Sequence, residues 1–184
     1  MPLNLIQYEK PVLGFCAFSG TGKTTLLTQL IPALKKRGLR IAVIKHAHHQ
    51  FDVDKPGKDS YELRKAGASP MLICSSRRTV IMIDNETEQE PELQELLAHI
   101  PASSIDMVLV EGFKQWPFPK IELHRAATGK PLMYTEDNHI IAIAHDRVES
   151  PLDTELPQLD INDLPSITDF VIQFSQMNAS PPAS

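Results

Sequence analysis

With 184 residues, 42% of them hydrophobic, and a formal net charge of −5, the chain suits one globular domain with a single sizeable core. No apolar run reaches the ~18 residues that a bilayer-spanning helix needs. The acidic balance runs against non-specific nucleic-acid binding, so neither membrane nor nucleic acid is an expected partner.

Residues 11–18 read as a buried strand that runs into a Gly-rich turn. A helix over 24–37 follows, with Leu26, Leu27, Leu30, Ile31 and Leu34 at helical spacing and Gly38 as its stop. Pro32 predicts a kink in it. Residues 39–45 form a second buried strand, which completes a βαβ unit with a right-handed crossover. Asp59, with Glu62 three residues on, has capping-box spacing for a short helix ending at Gly67. Residues 70–74 and 79–84 read as strands of a hairpin. A helix over 91–99 has Pro91 at its first position. Strands follow at 105–110, 119–124 and 140–144, then a helix at 167–177.

The fold class this implies is α/β, a three-layer P-loop sandwich whose sheet is mostly parallel, with an antiparallel insertion at the hairpin. Residues 1–178 are expected to be a single nucleotide-binding domain and 179–184 a disordered Ser-Pro tail. Met1 to Lys10 lacks an apolar signal core, so the expected location is the cytoplasm. Cys16 and Cys74 both fall in apolar runs and are expected to be small core residues.

The chemistry begins at residues 17–24, Ala-Phe-Ser-Gly-Thr-Gly-Lys-Thr, set between a strand and a helix. Backbone N–H groups from Ser19 through Gly20, Thr21, Gly22, Lys23 and Thr24 to Thr25 can form an anion nest, reinforced by the positive end of the helix. Lys23 would neutralise the outer phosphates and the Thr24 hydroxyl would reach Mg²⁺. Ala17 stands where the usual pattern has its first glycine. The strand 105–110 ends in Glu111, placed to hold the metal at the carboxyl edge of the sheet. Lys23 and Glu111 are the candidate catalytic groups. Asp106 should lie at the far end of that strand.

Residues 45–59 are dense in polar groups, and three readings stay open. They form a switch-like loop in which Asp52 or Asp54 helps hold Mg²⁺ while Lys45 or Lys55 meets phosphates. Or His46, His48 and His49 bind zinc or nickel with the aspartates. Or the loop is simply solvated. Residues 113–125 place Trp116 and Phe118 either in a lip for a flat heterocycle or in a packed loop. Glu122 and His124 share a strand face suited to a second substrate or a subunit contact. Asp146, after a later strand, is the candidate acceptor for a guanine base. Arg64, Arg77 and Arg78 lack positional support as catalytic arginines, so any phosphoryl transfer should be slow.

The order VIKHAHHQFDVDKPGKDSYELRKAGA (43–68), VLVEGFK (108–114) and KIELHR (120–125) resembles the MobB family of molybdopterin-guanine dinucleotide biosynthesis adaptor proteins. The resemblance spans roughly residues 11–146. It implies a homodimer that binds GTP with Mg²⁺, hydrolyses it weakly, and assists the guanylyltransferase that attaches GMP to the molybdenum cofactor, with molybdopterin as the further ligand. It places Gly20, Gly22, Lys23 and Thr24 at the phosphates and Glu111 at the metal, and leaves His46, Asp52 and Asp59 without a settled role. Two other functions fit the same residues: an ATP-dependent small-molecule kinase or ligase, and a GTP-dependent metal-insertion protein using residues 46–49.

Overall fold

The computed structural model describes residues 6–47, 51–85, 89–147 and 149–179. In chain order the elements are β1 (Val12–Cys16), α1 (Lys23–Lys36), β2 (Ile41–Lys45), α2 (Asp59–Lys65), β3 (Met71–Cys74), β4 (Thr79–Met82), α3 (Leu93–Ala98), β5 (Met107–Glu111), β6 (Lys120–His124), β7 (Ile140–His145), β8 (Gln158–Asp160) and α4 (Leu164–Asn178). Short 3₁₀ turns occupy Ala102–Ser104 and Ala126–Thr128. The chain divides into two compact units, Met1–His46 with Glu92–Ser184, and Ala47–Pro91.

The larger unit is a six-stranded sheet in the order β2-β5-β1-β6-β7-β8, parallel throughout. Central strands of such a sheet are covered on both faces, so they read as unbroken apolar runs. All of β1 is buried, as are the first four residues of β5. On one face Leu13, Phe15, Leu109, Ile121 and Leu123 pack with Leu26, Leu30 and Leu34 of α1 and Ile167 and Val171 of α4. On the other, Val12, Val108, Val110 and Phe118 pack with Leu93 and Leu97 of α3. This is the expected three-layer sandwich.

Several elements differ from the sequence-based expectation. β2 is an edge strand in which only Ile44 is buried, so the second strand is apolar without being a core strand. α1 continues through Pro32 as one helix to Lys36, with Gly38 at φ 89 turning the chain away. α3 begins after Pro91, with Glu92 as its cap. β8, three residues long, carried no readable apolar pattern. α4 starts earlier than its apolar periodicity, because Asp163 accepts a hydrogen bond from the Ser166 N–H and a proline sits in the first turn.

In the smaller unit, β3 and β4 pair antiparallel from Met71↔Met82 to Cys74↔Thr79, forming a separate two-stranded sheet. Ser75 closes the turn, its N–H donating to the Arg78 carbonyl at 2.8 Å and its hydroxyl accepting from the Arg78 N–H at 3.1 Å. Asp59 is the first residue of α2 and Lys58 its cap, with no side-chain capping bond, so the capping box does not form. Cys74 is exposed, contrary to the core role expected of it, whereas Cys16 is buried. An antiparallel ribbon has no second sheet to cover its outer face, so an apolar run there need not be a buried one. The expected disordered tail lies, beyond Ala179, outside the described residues.

Candidate functional site

All six strands of the larger sheet run the same way, so their carboxyl ends share one edge. The connections reverse direction about β1, and ligands of such sheets settle at that reversal. The loop leaving β1 there is built from glycine geometry. Gly20 and Gly22 hold φ of 85 and 93, left-handed values that glycine adopts at least cost. Gly22 is also the cap of α1. The first helical bond runs from the Leu26 N–H to the Gly22 carbonyl at 2.9 Å, which leaves the N–H groups of Lys23, Thr24 and Thr25 ahead of the helical ladder. Thr21, itself buried, ties the loop back by donating its hydroxyl to the Phe18 carbonyl at 2.9 Å. Ala17 belongs to the apolar core beneath α1, which is why a methyl fits at the position where glycine is usual.

Glu111 ends β5 beside this loop. Its register partners are Phe15 of β1 and Lys45 of β2. One carboxylate oxygen is 3.5 Å from Lys23 Nζ and the other 3.6 Å from Lys45 Nζ. The sequence-predicted Lys23, Lys45 and Glu111 are thus one cluster, with a single carboxylate shared by two ammoniums. Asp106 lies at the opposite end of β5, where its carboxylate accepts from the Arg40 N–H at 2.7 Å and from the Arg40 guanidinium. Those bonds hold its pKa at about 2.

The backbone after Glu111 is strained. Gly112 has φ 106 and Phe113, a bulky residue, φ 53. A Cβ on Gly112 would fall 2.7 Å from that of His46, so glycine is required there for space as well as for φ. The His46 N–H donates to the Glu111 carbonyl at 2.8 Å, and its ring stacks on Phe113 at 4.9 Å. His46 therefore props the turn that carries Glu111. Trp116 packs edge-on against Phe113, and Phe118 is fully buried, so Phe118 forms no lip.

β6 supplies a buried polar stripe. The Lys120 ammonium, 1% exposed, donates to the carbonyls of Lys114 at 2.8 Å and Trp116 at 2.7 Å and pairs with Asp137 at 2.7 Å. Its stem and Phe118 occupy the space above Gly14, where a Cβ would lie 2.7 Å from each. Glu122 is completely buried and accepts from the N–H groups of Met133 and Tyr134, both at 2.8 Å. Burial pushes its pKa up, against the pull of those two bonds. Its role is internal anchoring of the loop at 133–134, which corrects the expectation of a substrate or subunit contact at that residue. Burial also lowers the pKa of His124.

Arg125, which sequence reasoning left without a role, reaches back to the phosphate loop. Its Nε donates to the Thr21 carbonyl at 3.1 Å and its Nη2 to Asn162 at 2.9 Å. The signal available in the sequence was only a charged residue just past a strand end. Asp146, after β7, accepts from the Ala126 N–H at 3.0 Å, a bond that keeps its pKa low. In the smaller unit Asp52 and Asp54 each accept from Arg64 at 2.8 Å, and Asp59 opens α2. His48 and His49 lie outside the described residues. Among the described residues no three His, Cys, Asp or Glu side chains gather as a metal-binding group.

The family model described as "Molybdopterin guanine dinucleotide synthesis protein B" matches residues 12–146. The chain belongs to the MobB family. It is 49% identical to the molybdopterin-guanine dinucleotide biosynthesis adapter protein of Escherichia coli, over 90% of this chain and 94% of that protein. It is 45% identical to the Haemophilus influenzae protein of the same name, over 88% of this chain and 87% of that one. The crystal structure of Bacillus subtilis MobB superposes with a TM-score of 0.70 at 24% identity, covering 90% of this chain and 98% of that one. MobB membership accords with the P-loop-type α/β sandwich described above.

Proposed function

We propose that this chain binds GTP with Mg²⁺ on residues 17–24 and acts as an adapter in molybdopterin-guanine dinucleotide biosynthesis, presenting the nucleotide to the guanylyltransferase that joins GMP to the molybdenum cofactor. The observation that carries the nucleotide part is the loop itself: two left-handed glycines open the N–H groups of Lys23, Thr24 and Thr25 at a helix N-terminus, directly beside the Lys23–Glu111–Lys45 cluster. The adapter part is supported by the names of the Escherichia coli and Haemophilus influenzae relatives.

The donor set fits a hard cation. Thr24 offers a hydroxyl and Glu111 a carboxylate, the oxygen ligands Mg²⁺ takes alongside nucleotide phosphates. Held by these residues, the metal would supply positive charge against the phosphates. Lys23 would exchange Glu111 for the outer phosphates, releasing that carboxylate toward the metal, while Lys45 stays as its counter-charge. Asp146, kept ionised by the Ala126 N–H, would accept from the guanine N1 and N2 groups. Arg125 holds the Thr21 carbonyl and Asn162 and so steadies the loop. With Glu111 committed to cations and no arginine assigned to the phosphates, hydrolysis is expected to be slow.

A homodimer and a cytoplasmic setting complete the reading. The apolar side chains exposed on the hairpin, Leu72 and Ile81 among them, support packing against a second copy.

Calorimetric titration with GTP and ATP, with and without Mg²⁺, tests the proposal. GTP is expected to bind in preference to ATP, Lys23→Ala to abolish binding with the fold intact, and Asp146→Asn to erase the base preference. Unchanged affinity in Lys23→Ala would remove the phosphate loop from the account, and an ATP preference would point to a kinase or ligase instead.

A further inference from the structure

Arg125 and Ala126, which follow β6, tie separate segments of the carboxyl edge together. Arg125 Nε donates to the Thr21 carbonyl of the phosphate loop at 3.1 Å. Its Nη2 donates to Asn162 Oδ1 at 2.9 Å, and the Ala126 N–H donates to Asp146 at 3.0 Å. Asp146 and Asn162 belong to adjacent strand ends. β7 and β8 stay in register as far as His145↔Asp160, and the Ile161 N–H donates to the His145 carbonyl at 3.1 Å. Each of the two side chains therefore leaves the sheet where its strand stops pairing.

Their polar groups are complementary. A guanidinium only donates, so the Asn162 oxygen must face Arg125 and the Nδ2 group must point away from it. Among the described residues that Nδ2 group donates to nothing, and Asn162 is exposed. Its backbone is fixed as well: the Asn162 N–H donates to Asp160 Oδ1 at 2.8 Å, which closes the turn before α4. Asp146 uses one oxygen on Ala126 and keeps its remaining lone pairs as acceptors. One strand end thus offers acceptors and the next a free amide donor. Guanine presents the matching set, an acceptor at O6 and donors at N1 and N2.

We propose that Asn162 is a specificity-determining residue for the base: its Nδ2 group donates to guanine O6 while Asp146 accepts from N1 and N2, and Arg125 is the positioning residue that turns the amide the right way round. The inference rests on the nucleotide reading above, in which Asp146 alone met the base, and adds the donor that reading lacked. Adenine would bring a donor at N6 to Asn162 and an acceptor at N1 to Asp146, so both contacts turn against it. Because the same guanidinium holds the Thr21 carbonyl, one side chain sets the base contact and the phosphate loop together.

The test compares GDP, ADP and 6-thio-GDP, each with Mg²⁺, by calorimetry on the full chain and its variants. 6-thio-GDP keeps N1 and N2 and replaces O6 by sulfur, a weaker acceptor. Asn162→Asp keeps an oxygen for Arg125 and loses only the amide donor; Asn162→Ala loses both. The parent is expected to bind GDP about tenfold more tightly than 6-thio-GDP, the scale of one hydrogen bond. Both Asn162 variants should bind the two within about twofold. The two ligands carry the same charge, so their ratio cancels any general effect of the added carboxylate. Arg125→Ala frees the amide to flip and should lower the ratio to about threefold, and Arg125→Lys, still only a donor, should restore part of it. A full ratio in Arg125→Ala removes that residue from the positioning role. The parent's ratio persisting in Asn162→Asp, or a parent that prefers GDP to ADP yet binds 6-thio-GDP equally well, overturns the Asn162 contact and leaves the nucleotide reading standing. A parent that binds ADP as tightly as GDP sinks that reading, and the base contact goes with it.

Discussion

The two units meet the demands of burial by different means. In the larger unit apolar strands are covered on both faces, and the buried charges are fully answered: Lys120 spends its three N–H groups on two carbonyls and Asp137. In the smaller unit the strands are equally apolar, yet Leu72, Ile81 and Ile83 are exposed. The network of Arg64 with Asp52 and Asp54 leaves Asp54 Oδ2 and Arg64 Nε buried without a hydrogen-bond partner among the described residues. None of the buried apolar clusters among the described residues draws on residues 47–91. A strand's hydrophobicity says how much it would gain from cover; the topology decides whether cover exists. Two-stranded ribbons alone are marginal in water, so stability and binding chemistry should separate between the units.

The largest contrast is expected from matched truncations. Leu109→Ala, at the centre of the sheet, should cost about 2–5 kcal/mol, whereas Leu72→Ala on the hairpin should stay within about 0.5 kcal/mol. Chemical denaturation measures both, and equal losses would break the distinction. A second contrast lies in the cysteines. Burial pushes the Cys16 thiol up to about 12, and the residue is inaccessible, while Cys74 is exposed. Native protein treated with iodoacetamide should take one label, at Cys74, as read by mass spectrometry. Labelling of Cys16 before unfolding would show the larger core to be looser than drawn.

The smallest effect concerns one surface ion pair of the larger unit, Arg40 with Asp106. Asp106 titrates at about 2, below its ordinary 3.8, so its bonds to Arg40 stabilise the fold fully above 3.8 and are lost as pH falls toward 2. The melting temperature of Asp106→Asn should therefore trail the parent modestly at neutral pH and converge with it in acid. A gap that persists at pH 2 would locate the contribution elsewhere.

The parts of the fold legible in the sequence are those where local pattern and tertiary role agree. β1, the Gly-rich turn and α1 were readable because one apolar run, two glycines and a helical stripe occur in immediate succession. Glu111 was readable as a carboxylate ending an apolar strand. The edge position of β2 was not, because nothing local in Ile41–Lys45 reports which neighbour is missing. Glu122 looked like a surface acid by residue type, and only the loop at 133–134, eleven residues on, gives it partners. The role of Arg125 depends on a carbonyl 104 residues away. Of residues 45–59, the chain alone fixed their polarity, and the structure adds a place for Lys45 and His46.

Gly14 has a consequence beyond its own strand. Because it lacks a side chain, the lysine stem from β6 can cross the sheet face and reach the backbone of residues 114 and 116. A single methyl added at residue 14 would act at a distance. With no room between Lys120 and Phe118, it would loosen the ammonium from its carbonyls and release the segment that follows Glu111. A change that resembles routine core crowding in a central strand would then surface as altered ligand binding at the sheet edge, and a variant screened for stability alone would be assigned to the wrong fault.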